Sequence, residues 1–115
     1  MHDGTVRLKL ALAGRPGTSQ KIVEALRFLI METRLERGCL GCMVWTDQDS
    51  SVHYLEEWAS EADMRRRVLS NAFTSLLAVM EAAREPPQVQ FDFVATTRGL
   101  DYVAEVRERD VPGLP

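Results

Sequence analysis

The residues of this chain best suited to chemistry lie between positions 51 and 73. Val52–Trp58 contains the β-branched and aromatic residues typical of a strand, and a Ser-x-x-Asp capping box directly after it predicts a helix. Glu56 and Trp58 are two residues apart, so they face the same side of this strand. We predict that this side faces the helices, where a carboxylate needs a charged or hydrogen-bonding partner.

Arg67, on the helix that follows, is the predicted partner of Glu56. A buried ion pair is one interpretation of these two residues. The other is catalytic, because a carboxylate can take the proton of a phenol while an arginine holds the resulting oxyanion. Tyr54, on the same strand face, could donate to a quinol oxygen or be an ordinary core tyrosine. His53 falls on the opposite face, where it is either a general base or a histidine of a dimer interface.

Composition excludes several classes of protein. The 115 residues, 45% apolar and 27% charged, are enough for one domain, which we assign to residues 1–107 with a loose tail over residues 108–115. The net charge of −3 comes from interspersed acids and bases, so it provides no field for nucleic acid or a membrane surface. No stretch approaches the roughly 20 apolar residues of a membrane span. We therefore expect a cytoplasmic protein with free thiols at Cys39 and Cys42.

The sequence contains no recognisable cofactor or metal motif. It has no phosphate-binding glycine loop and no Ser-His-Asp order. His2 and His53 are the only imidazoles, so a closed zinc site would need nearly every candidate ligand in the chain. We expect neither a cofactor nor a bound metal.

The apolar pattern predicts an α+β domain. Alternating apolar residues indicate a strand over Val6–Leu12, and a helix capped by Thr18 or Ser19 should run to about Arg37 and stop at Gly38. The other predicted elements are strands over Cys39–Thr46 and Val52–Trp58, helices from Ser60 to Leu69 and from Phe73 to Met80, a strand from Val89 to Ala95, and a short helix within residues 98–106. The order β, α, β, β, α, β predicts a ferredoxin-like fold with a four-stranded antiparallel sheet.

The predicted first helix is apolar on two sides. Its second stripe consists of Phe28, Met31 and Leu35, roughly opposite the stripe that should cover the sheet. The residues of the second stripe are either partly exposed at the end of the helix, or in contact with another subunit, or part of the wall of a ligand site.

The strand faces directed away from the helices are polar. They carry Arg7 and Lys9 on one strand and the acidic residues Glu57 and Asp92 on two others. Such a face is either wet or paired with another sheet. We predict pairing in a homodimer, with the two signs of charge opposite each other.

Short motifs resemble the antibiotic biosynthesis monooxygenase family, which belongs to the dimeric α+β barrel superfamily. They are the RPG turn of residues 15–17, ERGCLGC of residues 36–42, EEWASEADM of residues 56–64 and LSNAF of residues 69–73. The resemblance in element order extends to about Thr97.

This resemblance implies a homodimer of two face-to-face sheets, with a pocket between each sheet and its own helices. It implies oxidation of a small aromatic quinol or anthrone by dioxygen without metal, flavin or haem, since the substrate anion supplies the electrons. It also implies that Trp58, Phe73, Met64 and Asn71 contribute to the substrate site, with plain core packing as the alternative for the two aromatic residues.

The chain departs from the family pattern at two positions. Histidines common in the family are replaced here by Arg67 and Ala72. The loss leaves no axial ligand for a haem-degrading activity. It also keeps open a non-catalytic small-ligand-binding or stress-response module on the same fold, and a thiol protein that uses Cys39 and Cys42.

Overall fold

The structure is a computed structural model that describes the backbone of residues 1–110 and the side chains of residues 1–108. Its elements are β1 (Val6–Leu12), α1 (Pro16–Thr33), β2 (Cys39–Thr46), β3 (Val52–Trp58), α2 (Glu61–Leu69), α3 (Asn71–Glu81), β4 (Gln88–Phe93) and α4 (Leu100–Asp110). The strands form one antiparallel sheet in the order β2-β3-β1-β4. This is the predicted ferredoxin-like α+β fold.

The core lies between the sheet and α1, α2 and α3. Every second residue of β1, from Val6 to Leu12, is buried, and the same alternation runs along β3. Leu26 of α1 and Leu76 of α3 are fully buried against these strands. The buried residues at every second strand position and the apolar stripe of each helix therefore pack together into one apolar layer.

Helix α1 begins and ends earlier than its sequence predicts. Arg15 is the N-cap and Pro16 takes the first helical position, where a missing N–H costs nothing. The predicted cap at Thr18 or Ser19 is therefore wrong, because both residues lie within the first turn of the helix. The helix also ends at Thr33 and not at Arg37.

Gly38 closes the turn between α1 and β2. Its φ is 89°, a left-handed conformation that side chains other than glycine rarely adopt. A Cβ at this position would also overlap the carboxylate of Asp63. The predicted left-handed conformation of Gly38 is confirmed, although Gly38 follows the end of α1 by several residues.

Two serines organise the helices that follow β3. Ser60 accepts a hydrogen bond from the Asp63 amide and caps α2, as predicted. Ser70 ends α2 and accepts from the Phe73 amide, so it caps α3. The break between α2 and α3 lies next to Asn71, where the apolar pattern also changes.

Strand β4 lies at one edge of the sheet, and its apolar side chains are only partly buried. Its register pairs Phe93 with Val6 and Phe91 with Leu8, so its apolar residues share the buried face of β1. They are nevertheless 49% and 41% exposed, whereas Val6 and Leu8 beside them are buried. The apolar side of β4 therefore continues the buried face of the sheet, but one chain covers it only in part.

One face of the sheet is directed away from the helices, and we call it the open face. The charges on this face pair within the chain. Arg7 contacts Glu57 at 2.7 Å and Lys9 contacts Asp92 at 2.8 Å. Both pairs follow from antiparallel register, which puts each acid opposite or beside its base. These charges therefore already have partners within one chain, and their predicted pairing across a dimer stays a prediction.

Helix α4 continues to Asp110 and so extends beyond the predicted residues 98–106. Its apolar side chains Leu100 and Val103 are 85% and 48% exposed. Positions 111–115 of the predicted tail lie outside the described residues. Within the described part of the chain, no helix combines the length and apolar character of a transmembrane segment.

Candidate functional site

Glu56 is the centre of a buried polar cluster between β3 and the helices. It is 0% exposed, and its two oxygens accept four hydrogen bonds. Tyr54 Oη donates at 2.6 Å and Trp58 Nε1 at 2.9 Å, both from the same strand face. Arg67 donates twice, from Nε at 3.1 Å and from Nη2 at 2.9 Å. The predicted pairing of Glu56 with Arg67 is present.

Arg67 joins the cluster to α1 and α3. It is 2% exposed, and its Nη2 also donates to Thr33 Oγ1 at 3.1 Å. Its guanidinium carbon lies 5.4 Å from the centre of the Phe73 ring. Burial alone lowers the pKa of Arg67, but the hydrogen bonds and the charge of Glu56 outweigh burial and raise it. The guanidinium is therefore held charged.

One nitrogen of Arg67 is less committed than the others. Nη1 lies 3.6 Å from Glu36 Oε1, which is longer than a hydrogen bond. The Glu36 side chain is 33% exposed, so this contact is where the cluster approaches solvent.

Tyr54 and Cys42 extend the cluster toward β2. The Cys42 thiol donates to Tyr54 Oη at 3.3 Å. Burial raises the pKa of Cys42 to about 12, although the hydrogen bond to Tyr54 opposes the rise. Burial, followed by the charge of Glu56, also raises the pKa of Tyr54. Both groups are neutral near pH 7, and Cys39 and Cys42 are free thiols.

The other predicted site residues lie partly beside the cluster and partly away from it. Met64 and Phe73 are buried, 4% and 6% exposed, and belong to the same apolar core. Asn71 is exposed at the first position of α3. His53 lies on the open face of the sheet, hydrogen-bonded to Asp47 at 2.8 Å and stacked on Trp45. The structure therefore does not bring His53 or Asn71 to Glu56.

Two members of the cluster, Thr33 and Cys42, are hard to predict from the sequence. Thr33 is a buried residue of α1, but nothing in the sequence pattern shows that its hydroxyl accepts a hydrogen bond from Arg67. Cys42 was of interest as a thiol and is instead a neutral donor to Tyr54. The alternation of faces along β2 and β3 was the one available signal for Cys42. Cys42 pairs with Glu56 in register, so the two side chains lie on the same face of the sheet.

The cluster is closed and internally satisfied. In the described part of the chain, every buried polar side-chain atom has a hydrogen-bond partner. Neither of the two main cavities is lined by Glu56, Trp58 or Arg67. As the cluster stands, a substrate would have to displace a hydrogen bond to reach the carboxylate.

The larger cavity, of about 530 Å³, lies at the other end of the sheet. It opens between the start of α1 and the end of α3. Glu56 pairs with Leu8 of β1, whereas the cavity borders Ala13, just after the end of that strand. At about 3.4 Å per strand residue, roughly 17 Å of strand separates Glu56 from the cavity, and none of the side chains hydrogen-bonded to Glu56 lines it. The cavity and the Glu56 cluster are therefore distinct sites.

Metal ligands do not cluster in the described residues. No group of three or more His, Cys, Asp or Glu side chains is arranged to hold an ion there. The donors around Glu56 are an arginine, a tyrosine and a tryptophan, and a metal would need acceptors. The geometry of the cluster suits an anion or a hydrogen-bond acceptor.

Comparison with known proteins yields matches in structure but not in sequence. No family model matches the chain, and no curated protein matches it. An antibiotic biosynthesis monooxygenase of known structure gives a TM-score of 0.65 at 19% identity, covering 79% of this chain and 99% of that one. A Deinococcus radiodurans protein, provisionally named an antibiotic biosynthesis monooxygenase, gives 0.71 at 16% identity, covering 82% and 96%.

A third match has no named activity. It is a conserved protein from Methanosarcina mazei Go1, with a TM-score of 0.68 at 20% identity, covering 78% of this chain and 92% of that one. Identities at this level show the fold alone. The chain has the fold of the antibiotic biosynthesis monooxygenases, as the sequence motifs indicated.

Proposed function

We propose that this protein oxidises a small aromatic quinol or anthrone with dioxygen in the cytoplasm, without metal, flavin or haem. One observation carries the proposal. A buried carboxylate and a buried guanidinium, Glu56 and Arg67, lie side by side between aromatic residues, in a fold shared with antibiotic biosynthesis monooxygenases. A carboxylate that takes a proton and an arginine that holds an oxyanion are the groups this reaction needs.

The reaction balances with dioxygen as the only co-reactant. The substrate loses a proton, and its anion transfers electrons to dioxygen. With an anthrone, the methylene carbon becomes a carbonyl, one oxygen atom enters the product and the other leaves as water. In this proposal Glu56 takes the proton after exchanging one of its four hydrogen bonds, and Nη1 of Arg67 turns from Glu36 to the oxyanion. Tyr54, Trp58 and Phe73 would exclude water.

A second candidate is a non-catalytic module that binds a small molecule. The observation that favours it is the saturation of Glu56, whose four donors leave no lone pair directed at a cavity. In that case the cluster is a structural ion pair and the ligand site lies elsewhere. The catalytic candidate and the binding candidate predict different rates of oxygen consumption with the same substrate.

Oxygen consumption with an anthrone distinguishes the candidates. Catalysis predicts a rate that saturates with substrate, exceeds autoxidation and survives dialysis against a chelator. Glu56→Gln, measured on folded protein, should then lose most of the rate. Glu57→Gln makes the same chemical change on the opposite face of β3 and should keep it. A rate equal to autoxidation would leave the binding module as the function.

We further propose that the protein is a homodimer through the open face of its sheet. The charges on this face are satisfied within one chain, so affinity must come from its apolar side chains. Met43 and Trp45 are 48% and 45% exposed there. Such interfaces in stable dimers bury more than about 1,000 Å² in total.

Light scattering at micromolar concentration tests the dimer. The expected mass is about twice the 13.0 kDa of the chain. Met43→Arg should produce a monomer, whereas Leu35→Arg, a matched change at an exposed position in the turn after α1, should not. A monomeric wild-type protein would contradict the proposal.

A further inference from the structure

The cavity between α1 and α3 arises from small side chains. Ala25 of α1 faces Ala82 and Ala83 at the end of α3, and each offers only a methyl group across the gap. Ile22 and Val79 form the apolar part of the lining. The space that these residues leave, about 530 Å³, lies within the range of small-molecule sites.

The mouth of the cavity is cationic. Arg15 and Lys21 border it from α1 and Arg84 from the segment after α3, with Glu85 as the one acid. Among the described side chains, none forms an ion pair or a side-chain hydrogen bond with Arg15, Lys21 or Arg84. These cations are therefore available to a ligand, in a chain whose net charge is −3.

The loop after β1 holds this arrangement in place. Ser19 is buried in the first turn of α1, and its hydroxyl donates to the carbonyl oxygen of Ser50. Gly14 lies against both residues so closely that a Cβ would overlap them. The cavity wall that Gly14 and Arg15 form is thus fixed to the β2–β3 turn.

We propose that this cavity binds a small amphipathic anion, an apolar body of one or two rings or a short acyl chain that ends in a carboxylate. The apolar body contacts Ile22, Val79 and the alanines, which removes apolar surface from water. The carboxylate stays at the mouth, where Arg15, Lys21 and Arg84 attract it at a partly solvated site. The net charge of the lining, three cations against Glu85, sets the preference for an anion.

This site is independent of the reaction proposed for the Glu56 cluster. Roughly 17 Å of strand separates Glu56 from the cavity, so the cavity can be a ligand or effector site whether or not Glu56 is catalytic. If the protein proves to be a binding module, the cavity is where its ligand binds.

Calorimetry with two matched probes tests the proposal. The anion 1-naphthoate should bind at least tenfold more tightly than the neutral 1-naphthalenemethanol, and added salt should weaken only the former. Equal affinities for the two probes would overturn the anionic preference. Absence of any binding would overturn the site itself.

Variants show where the probe binds. Lys21→Gln with Arg84→Gln should weaken 1-naphthoate at least tenfold, whereas Arg27→Gln, an exposed arginine of α1 outside the lining, should change affinity less than twofold. Ala25→Phe fills the cavity from an exposed helix position and should abolish binding while circular dichroism stays unchanged. Unchanged affinity in Ala25→Phe would place the probe elsewhere and refute the proposal.

Discussion

Glu56→Gln should destabilise this protein far more than a single lost charge on its surface would. Four donors converge on Glu56, and glutamine keeps only one acceptor oxygen for them. The amide nitrogen that replaces the other oxygen must then face donors of Tyr54 and Arg67, or of Trp58 and Arg67. Arg67 also loses its counter-charge while it remains buried.

The expected cost is about 3 to 5 kcal/mol, the usual penalty for removing one partner of a buried ion pair. A domain of this size has a total stability of about 5 to 15 kcal/mol, so the variant should be folded only marginally. With a urea dependence of about 1 to 3 kcal/mol per molar, the unfolding midpoint should fall by roughly 2 M.

Urea unfolding followed by tryptophan fluorescence measures the effect. Glu57→Gln is the control, because its pair with Arg7 is partly exposed and should contribute at most about 1 kcal/mol. Tyr54→Phe removes one of the four donors and should cost about 1 to 2 kcal/mol, which keeps the series measurable if Glu56→Gln does not fold. A loss below about 1 kcal/mol in Glu56→Gln would refute the view that the cluster holds the fold together.

Four further predictions follow from other contacts. Gly38→Ala should cost more than about 1 kcal/mol in urea unfolding, because φ of 89° and the Asp63 carboxylate both oppose a side chain. Ser60→Ala removes the α2 cap and should cost about 0.5 to 2 kcal/mol in the same assay. Iodoacetamide at pH 8 should label Cys42 only on unfolding, because its pKa is raised from 9.0 to about 12 and the thiol is buried. The same shift means that the contribution of Cys42 to stability is complete below pH 9 and is lost as pH rises toward 12, so Cys42→Ala should flatten that part of the stability profile.

Local pattern was sufficient to predict most of the fold. Alternation in β1 and β3 defined which face is buried, because successive strand residues point to opposite sides. The same parity paired Glu56 with Trp58 on the buried face and put His53 on the other. Arg67 could be proposed as the partner of Glu56, since a carboxylate in that layer needs a counter-charge from the adjoining helix.

Helix boundaries were harder to predict from the same pattern. A serine or threonine near the start of α1 looked like a cap, yet Pro16 with its fixed φ begins the helix earlier. Ser19 is instead used for a contact with Ser50, which is 31 residues away in sequence. A contact at that separation leaves no trace in the local pattern.

Only the tertiary structure decided whether the candidate chemistry has access to a ligand. Sequence parity brings Glu56 and Arg67 together, but it does not count the donors that converge on the carboxylate, and Thr33 and Tyr54 complete a closed cluster. The charges of the open face form pairs within one chain because the strand register places each acid beside a base. The composition of the chain does not predict this pairing. The cavity at the far end exists because Ala25 of α1 faces the two alanines that follow α3. The packing of the helices determines which side chains of one helix contact those of another. The periodicity of apolar residues within each helix does not contain that information.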